Sequence, residues 1–229
     1  MHIDASSKIK IENGERVFVN KKYKTKWGSF NIVKAELLLL KRAYKTGGYE
    51  RYILLSGQDL PLLSNTGIMS FLDGNNNEYI VTNKISLNEW SRKNFVGKIL
   101  LKSIMTVIKC EFYCGSQWFN LTKNCVEKIL NYLVCNKYFI IKFYSVEKLY
   151  WKDCSDEKFF HTLVHKIGEI NIVNDNIRYI DWTGQYKHPL TLQKNDYERI
   201  MRSKALFARK FDETVDKEII DKIYSEIGA

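Results

Sequence analysis

The chain has 229 residues, is 45% hydrophobic and 14% aromatic, and carries a formal net charge of +10. That size supports one sizeable buried core, and with only Pro61 and Pro189 as prolines and no Ser/Gly-rich tract to act as a linker, a single domain over residues 1–229 is expected. Lys and Arg are spread along the chain without a zinc-finger, RRM or basic-zipper pattern. This argues against nucleic acid and leaves a solvated lysine-rich surface, a phosphate-bearing ligand or peripheral contact with an anionic membrane.

Strand-like and helix-like segments alternate from end to end. Ile3 opens a short strand ending at Asp4, and Arg16–Val19 reads as another. Ser29 is placed to cap a helix whose apolar positions are Ile32, Val33, Leu37, Leu40 and Tyr44, closed by Gly47 and Gly48. Arg51–Leu55 is a buried strand running into Ser56-Gly57-Gln58-Asp59. A helix over Thr66–Leu72 stops at Asp73-Gly74, and Glu78–Thr82 is again strand. Val107–Phe112 reads as a strand leading to Cys114-Gly115-Ser116, and Thr122 caps an amphipathic helix through Val126, Ile129, Leu130 and Leu133. Ser155 caps a further helix with Phe159, Phe160, Leu163 and Val164 as its apolar face. Arg178–Trp182 is a strand, and Asp196–Arg202 and Glu218–Ile227 are helices. The alternation predicts an α/β fold, a central mostly parallel sheet with helices on both faces, in which ligands collect beyond the carboxyl ends of the strands.

The five cysteines (Cys110, Cys114, Cys125, Cys135 and Cys154) are odd in number and irregular in spacing, which predicts reduced thiols and neither a zinc site nor a disulfide framework. No signal peptide opens the sequence and no apolar run is long enough to span a membrane, so the expected setting is cytoplasmic, with peripheral membrane contact left open. P-loop, dinucleotide-binding, nucleophile-elbow and zincin signatures are all absent.

Four strings carry the chemistry. The first is Leu54-Leu55-Ser56-Gly57-Gln58-Asp59-Leu60-Pro61-Leu62, a strand that ends in a polar turn where Asp59 satisfies loop amides or holds a hydroxyl. The second is Phe112-Tyr113-Cys114-Gly115-Ser116-Gln117-Trp118-Phe119, before a long helix. The third is Ser155-Asp156-Glu157, where carboxylates at a helix start are favoured by free N–H groups and the dipole. The fourth is Ala205-Leu206-Phe207-Ala208-Arg209-Lys210-Phe211-Asp212.

Together, in this order, the four strings resemble the boxes of the core-2/I-branching (β-1,6-N-acetylglucosaminyltransferase) family, a branching domain shared with peptide O-xylosyltransferases. His2-Ile3-Asp4 is similar to that family's early His-Val-Asp. The resemblance implies a nucleotide-sugar transferase (GT-A-like) fold, and inverting transfer of N-acetylglucosamine or a related sugar from a UDP-sugar donor to a glycan hydroxyl. Glu157 is then the general base that deprotonates the acceptor. The sequence holds no Asp-x-Asp, so no metal or other cofactor is expected. The diphosphate would be met by fixed cations, Lys210 first, with Arg209 and Lys187 as further candidates that solvent explains equally well. Asp4 falls with the donor-binding residues, and Asp59, Gly115, Ser116, Asp156 and Trp182 with the acceptor and sugar pocket. Trp182 reads equally as a core residue.

The sequence departs from the family in two places. Ser155 replaces the proline of the acidic box, and the family's strand and helix before His-Val-Asp have no counterpart here. Two other readings remain: a peptide O-xylosyltransferase-like enzyme, and a non-catalytic carbohydrate-binding or assembly protein. The resemblance allows either a cytosolic bacterial enzyme or, for an animal chain, the Golgi lumen. Glu157, His161 and His165 share a helix face, but i to i+8 is too far for one ion, so the histidines are expected to pack.

Overall fold

The computed structural model describes residues 1–85, 111–150, 154–184 and 188–228. The expected strand from Val107 and Lys187 fall, wholly or in part, outside those residues.

Residues 1–28 form no named strand. Instead of two short strands, the segment is tied by isolated bridges, His2 to Asn20 and Gly14 to Val17. Helix α1 (Phe30–Thr46) follows, with Val33, Leu37 and Leu40 buried and Gly47 at φ +74° closing it. Strand β1 (Arg51–Ile53), β2 (Asp59–Pro61), α2 (Asn65–Leu72), β3 (Asn77–Ile80) and β4 (Asn83–Lys84) come next. After the undescribed stretch come β5 (Tyr113–Cys114), β6 (Phe119–Thr122), α3 (Lys123–Cys135), α4 (Phe139–Tyr150) and α5 (Phe159–Ile167). The chain continues with β7 (Asn171–Val173), β8 (Arg178–Ile180), a 3-10 turn (Lys194–Asp196), α6 (Tyr197–Arg202), β9 (Phe207–Arg209) and α7 (Lys217–Ile227).

The α/β class and a helix on each sheet face stand, but the sheets are mixed. In the larger sheet, ordered β1-β6-β3-β7, only β3 and β7 run parallel, while β6 pairs antiparallel with both neighbours. The smaller sheet, β2-β9-β8, joins one antiparallel and one parallel pair. Strand–helix alternation in sequence does not fix strand direction. Three helices also follow β6 before β7, so no simple βαβ series is built.

Two apolar clusters result. Ile80, Phe119, Leu121 and Tyr52 on one sheet face meet α1, α3, α4 and α5 through residues such as Val33, Ile129, Phe143 and Phe160. On the opposite face, Phe71 of α2 packs on Tyr79. The second cluster joins Leu60, Ala208 and Leu192 to Ile200, Ile219 and Ile223 of α6 and α7. Thr122 caps α3 by accepting from Cys125 N at 3.1 Å, and its own N–H and hydroxyl donate to buried Glu78 at 2.7 and 2.6 Å.

Candidate active site

Glu157 lies in a turn, 155–158, that leads into α5. The helix begins at Phe159, so the expected cap at Ser155 shifts: the Ser155 carbonyl accepts from Phe159 N at 2.8 Å, while its side chain is buried. The turn is clamped from two sides. Cys154 N and Ser155 N both donate to the Gly28 carbonyl, at 2.8 and 3.2 Å, just ahead of α1, and Gly115 N donates to the Glu157 carbonyl at 2.9 Å. Gly115 has no substitute at this crossing, because a Cβ there would stand 1.7 Å from the Val81 carbonyl oxygen. With its backbone fixed this way, the box turns Asp156 inward, where it is buried, and leaves Glu157 exposed. Protein nevertheless crowds the Glu157 carboxyl. Desolvation first and the Asp156 carboxylate second push it above the usual range, against Lys158 and Cys154.

Segment 115–118 ties the parts of the site together. Ser116 Oγ accepts from Asn176 Nδ2 at 3.0 Å, and the Ser116 carbonyl accepts from His161 Nε2 at 2.8 Å. A carbonyl only accepts, so His161 carries its proton on Nε2. Burial lowers its pKa to about 4 and keeps the ring neutral. Gln117 Nε2 donates to Glu36 Oε1 of α1 at 2.8 Å. Trp118 is covered by two guanidinium groups, those of Arg178 and Arg209, at 4.5 and 4.4 Å from its ring centre. His165, one turn beyond His161, bonds Thr82 Oγ1 at 2.8 Å and stacks on Tyr113 at 3.6 Å, so both histidines pack as expected.

The two arginines converge on Asp59. Arg178 Nε lies 3.1 Å and Arg209 Nε 3.6 Å from Asp59 Oδ1, while Oδ2 accepts from Ser56 N and Oγ at 2.5 and 2.6 Å. The Asp59 side chain is 0% exposed. This corrects its assignment to the sugar pocket: both oxygens are occupied, and it holds the arginines. Asp156, placed in the same pocket, is also buried. Arg209 is neither a solvated cation nor an open ligand, because it lies between Asp59 and Trp118. Lys210 follows at the end of β9, half-buried, with no side-chain hydrogen bond or ion pair among the described residues. Its carbonyl accepts from Leu192 N at 2.9 Å, and the next residue, Phe211, is buried, so the backbone carrying the ammonium is anchored. Trp182 is 57% exposed, which removes the core reading. Asp4 accepts from Ser6 and Thr25 through both backbone and hydroxyl groups, the Ser6 hydroxyl above all. These bonds hold its carboxyl far below the usual range and fasten the N-terminal segment.

A continuous path of hydrogen bonds, ion pairs and ring contacts therefore runs from Glu157 through segment 115–118, Arg178 and Asp59 to the neighbour of Lys210. Its connecting members, Glu36, Gln117, Trp118, His161, Asn176 and Arg178, were not singled out as site residues in the sequence. Glu36 left a signal: it stands with Val33, Leu37 and Leu40 on the buried stripe of α1, where a carboxylate is out of place. Among the described residues, no three His, Cys, Asp or Glu side chains are grouped to hold a metal ion, and no helix is long and apolar enough to cross a membrane. Cys125, buried, and Cys135, exposed, form no disulfide among the described residues.

The chain is similar to beta-glucuronosyltransferase GlcAT14B of Arabidopsis thaliana, 28% identical over 223 residues that cover 86% of this chain and 48% of the plant protein. It is also similar to xylosyltransferase 2 of Rattus norvegicus, 25% identical over 235 residues covering 86% of this chain and 26% of the rat protein. Xylosyltransferase 1 of the same species is 24% identical, with 88% and 27% covered. The chain thus spans about half to a quarter of the length of these curated relatives. The pattern described as Core-2/I-Branching enzyme matches residues 3–204, a stretch that takes in the turn of Glu157 and segment 115–118 and stops short of Lys210. With most of its length matched, the chain belongs to the core-2/I-branching enzyme family.

Proposed function

We propose that the chain is an inverting, metal-independent glycosyltransferase that moves a sugar from a UDP-sugar to a glycan hydroxyl, with Glu157 as general base. The observation that carries this reading is the clamped turn 155–158. It offers one exposed carboxylate on a rigid backbone and lifts its proton affinity towards that of a working base. Trp182 supplies an exposed aromatic face for a sugar ring, and Lys210 a half-buried cation without a close ion pair among the described residues for the departing diphosphate. N-acetylglucosamine is the sugar implied by the sequence strings. The xylosyltransferase and glucuronosyltransferase relatives give specific support to a second reading, with xylose or glucuronate as the transferred sugar.

The test is a panel of UDP-N-acetylglucosamine, UDP-xylose and UDP-glucuronate, assayed for donor hydrolysis and transfer with the parent chain and Glu157→Gln. At least one donor should be turned over by the parent. Glu157→Gln should lose on the order of 10³-fold in kcat while UDP affinity stays within a few fold, since a base acts in the transition state and not on the nucleotide. Turnover by Glu157→Gln within tenfold of the parent removes Glu157 from the role. UDP binding without turnover of any donor by the parent leaves the carbohydrate-binding reading in its place.

A further inference from the structure

The reversal between α3 and α4 lies outside the site described so far, and local bonds fix its shape. Asn136 closes α3 twice, since its backbone N–H and its Nδ2 both donate to the Tyr132 carbonyl, at 2.8 and 2.9 Å. Its own carbonyl accepts from Phe139 N at 2.8 Å, where α4 begins. The rings of Tyr132 and Phe139 meet edge to face with their centres 5.4 Å apart. Between the two helix ends lies a cavity of about 270 Å³, whose lining includes Tyr132, Asn136, Lys137, Tyr138 and Lys142.

Two features of this turn call for a ligand. The first is charge. From Lys128 to Ser145 the sequence holds three lysines and no acid. Lys128 is taken up by the carbonyl and carboxylate of Glu169. Lys137 and Lys142, at the cavity, are exposed and make no side-chain hydrogen bond or ion pair among the described residues. The second is apolar exposure. Tyr138 is 72% exposed, and Val134 and Ile141, each next in sequence to a residue of the lining, are 66% and 60% exposed. Lys142 N donates to the Tyr138 carbonyl at 2.9 Å, so the helical spacing reaches back to Tyr138 and sets Ile141 and Lys142 one turn beyond it on the same face. Another side of α4 is the buried one, where Phe139 and Phe143 pack on Phe159, two residues beyond Glu157.

We propose that the turn between α3 and α4 docks the chain on an anionic bilayer, with Lys137 and Lys142 holding a lipid phosphate at the cavity and Val134, Tyr138 and Ile141 entering the headgroup layer. Two cations flanked by exposed aromatic and aliphatic side chains match that layer, where phosphates meet ammonium groups and tyrosine rings lie at the boundary between water and hydrocarbon. A soluble anion would answer the lysines and leave the three apolar side chains in water. An apolar protein surface would cover those side chains and leave the lysines unmatched. The contact is independent of the glycosyl-transfer reading, yet it bears on it. Through Phe139, Phe143 and Phe159, the docked face holds the turn of Glu157 at a set distance from the bilayer.

The experiment sediments the full chain with vesicles of phosphatidylcholine alone and of equal parts phosphatidylcholine and phosphatidylserine. Partitioning should require the serine lipid and weaken as salt is added. Lys137→Gln combined with Lys142→Gln should lower the partition coefficient by about 20-fold, since each basic residue near an anionic surface is worth roughly fivefold. Tyr138→Ser combined with Ile141→Ser alters no charge and should still lower it by about tenfold or more. The control is Lys204→Gln combined with Lys217→Gln, at exposed positions ahead of β9 and at the start of α7. It removes the same charge elsewhere and should change the coefficient by less than about threefold. Every replaced side chain is exposed, so the variants should keep the parent's denaturation midpoint, and each pair decides without the other. Partitioning that either turn pair leaves intact overturns the proposal. An equal fall in the Lys204 and Lys217 control overturns it too, because net charge alone would then be the cause. Binding of inorganic phosphate or glycerophosphoserine without partitioning to the mixed vesicles assigns the cavity to a soluble anion instead. Self-association of the lipid-free chain, abolished by Tyr138→Ser with Ile141→Ser, would assign the face to a second copy and overturn the membrane contact.

Discussion

At the scale of single residues, the sharpest contrast is between Arg209 and Lys210. They are adjacent at the end of β9, yet Arg209 is pinned between Asp59 and Trp118, while the Lys210 side chain makes no hydrogen bond or close ion pair among the described residues, feels the field of Asp212, and sits on a backbone held at both neighbours. An anchored cation without a close ion pair among the described residues suits a transient diphosphate charge. Assayed in EDTA, Lys210→Ala should lower UDP affinity and kcat with a combined loss of about 10²-fold, and Lys210→Arg should restore part of it. Parent-like UDP binding and turnover in Lys210→Ala would return it to the class of surface lysines. Spacing and resemblance made Glu157, Lys210 and Trp182 readable as candidates, the first two inside distinctive strings and Trp182 at the end of an expected strand. The roles of Asp59 and Asp156 were not readable. A carboxylate near a glycine turn looks the same in sequence whether it faces a sugar or a buried arginine, and only three-dimensional burial separates the two cases.

At the scale of elements, segment 115–118 and turn 155–158 depend on one close crossing. Gly115→Ala would drive a methyl group against the Val81 backbone and the His161 ring, at 1.7 and 3.0 Å, and neither is the far end of a flexible chain. The expected cost is about 3 kcal/mol, the upper part of the usual range for overpacking, read as a lowered denaturation midpoint. A midpoint equal to the parent's would mean that the crossing gives way freely. Helices α1, α2, α3 and α7 were legible to within a residue or two; Ser64, Thr122 and Asp216 cap the last three, whereas Ser29 precedes α1 without a capping bond from its side chain. Helix α4 was not: around Phe139 and Phe143 the run Phe139-Ile140-Ile141-Lys142-Phe143-Tyr144 is apolar on nearly every side, so it shows no helical period. Strands of two to four residues such as β5 and β7 are too short for alternation to register.

At the scale of the molecule, Arg178 joins the three-stranded sheet to the four-stranded one. It belongs to β8 of the smaller sheet, its Nη2 donates to the Leu54 carbonyl just beyond β1 of the larger one, and its guanidinium lies on Trp118. Asp59 neutralises it in the interior. Asp59→Asn would leave two crowded guanidinium groups facing an amide, and the chain should lose about 3–5 kcal/mol of stability, measured by chemical denaturation. A change below about 1 kcal/mol would mean that the buried ion pair does not hold the halves together. This joint was beyond the reach of sequence patterning, because its members are separated by more than a hundred positions, as with the contact of Arg178 and Leu54.

The order of strands in the smaller sheet has a consequence for how the chain is made. Its middle strand, β9, is the last to leave the ribosome, while the flanking strands β2 and β8 are synthesised about 150 and 30 residues earlier. Until Arg209 emerges, both flanking strands present unpaired backbone edges, and Trp118 has only one of its two covering cations. The larger cluster, whose helices and strands are complete by Val173, can close first. Closure of the segment that carries Arg209 and Lys210 is thereby deferred until β9 has emerged, and a nascent chain interrupted before Phe207 would expose two adhesive edges beside an otherwise folded body.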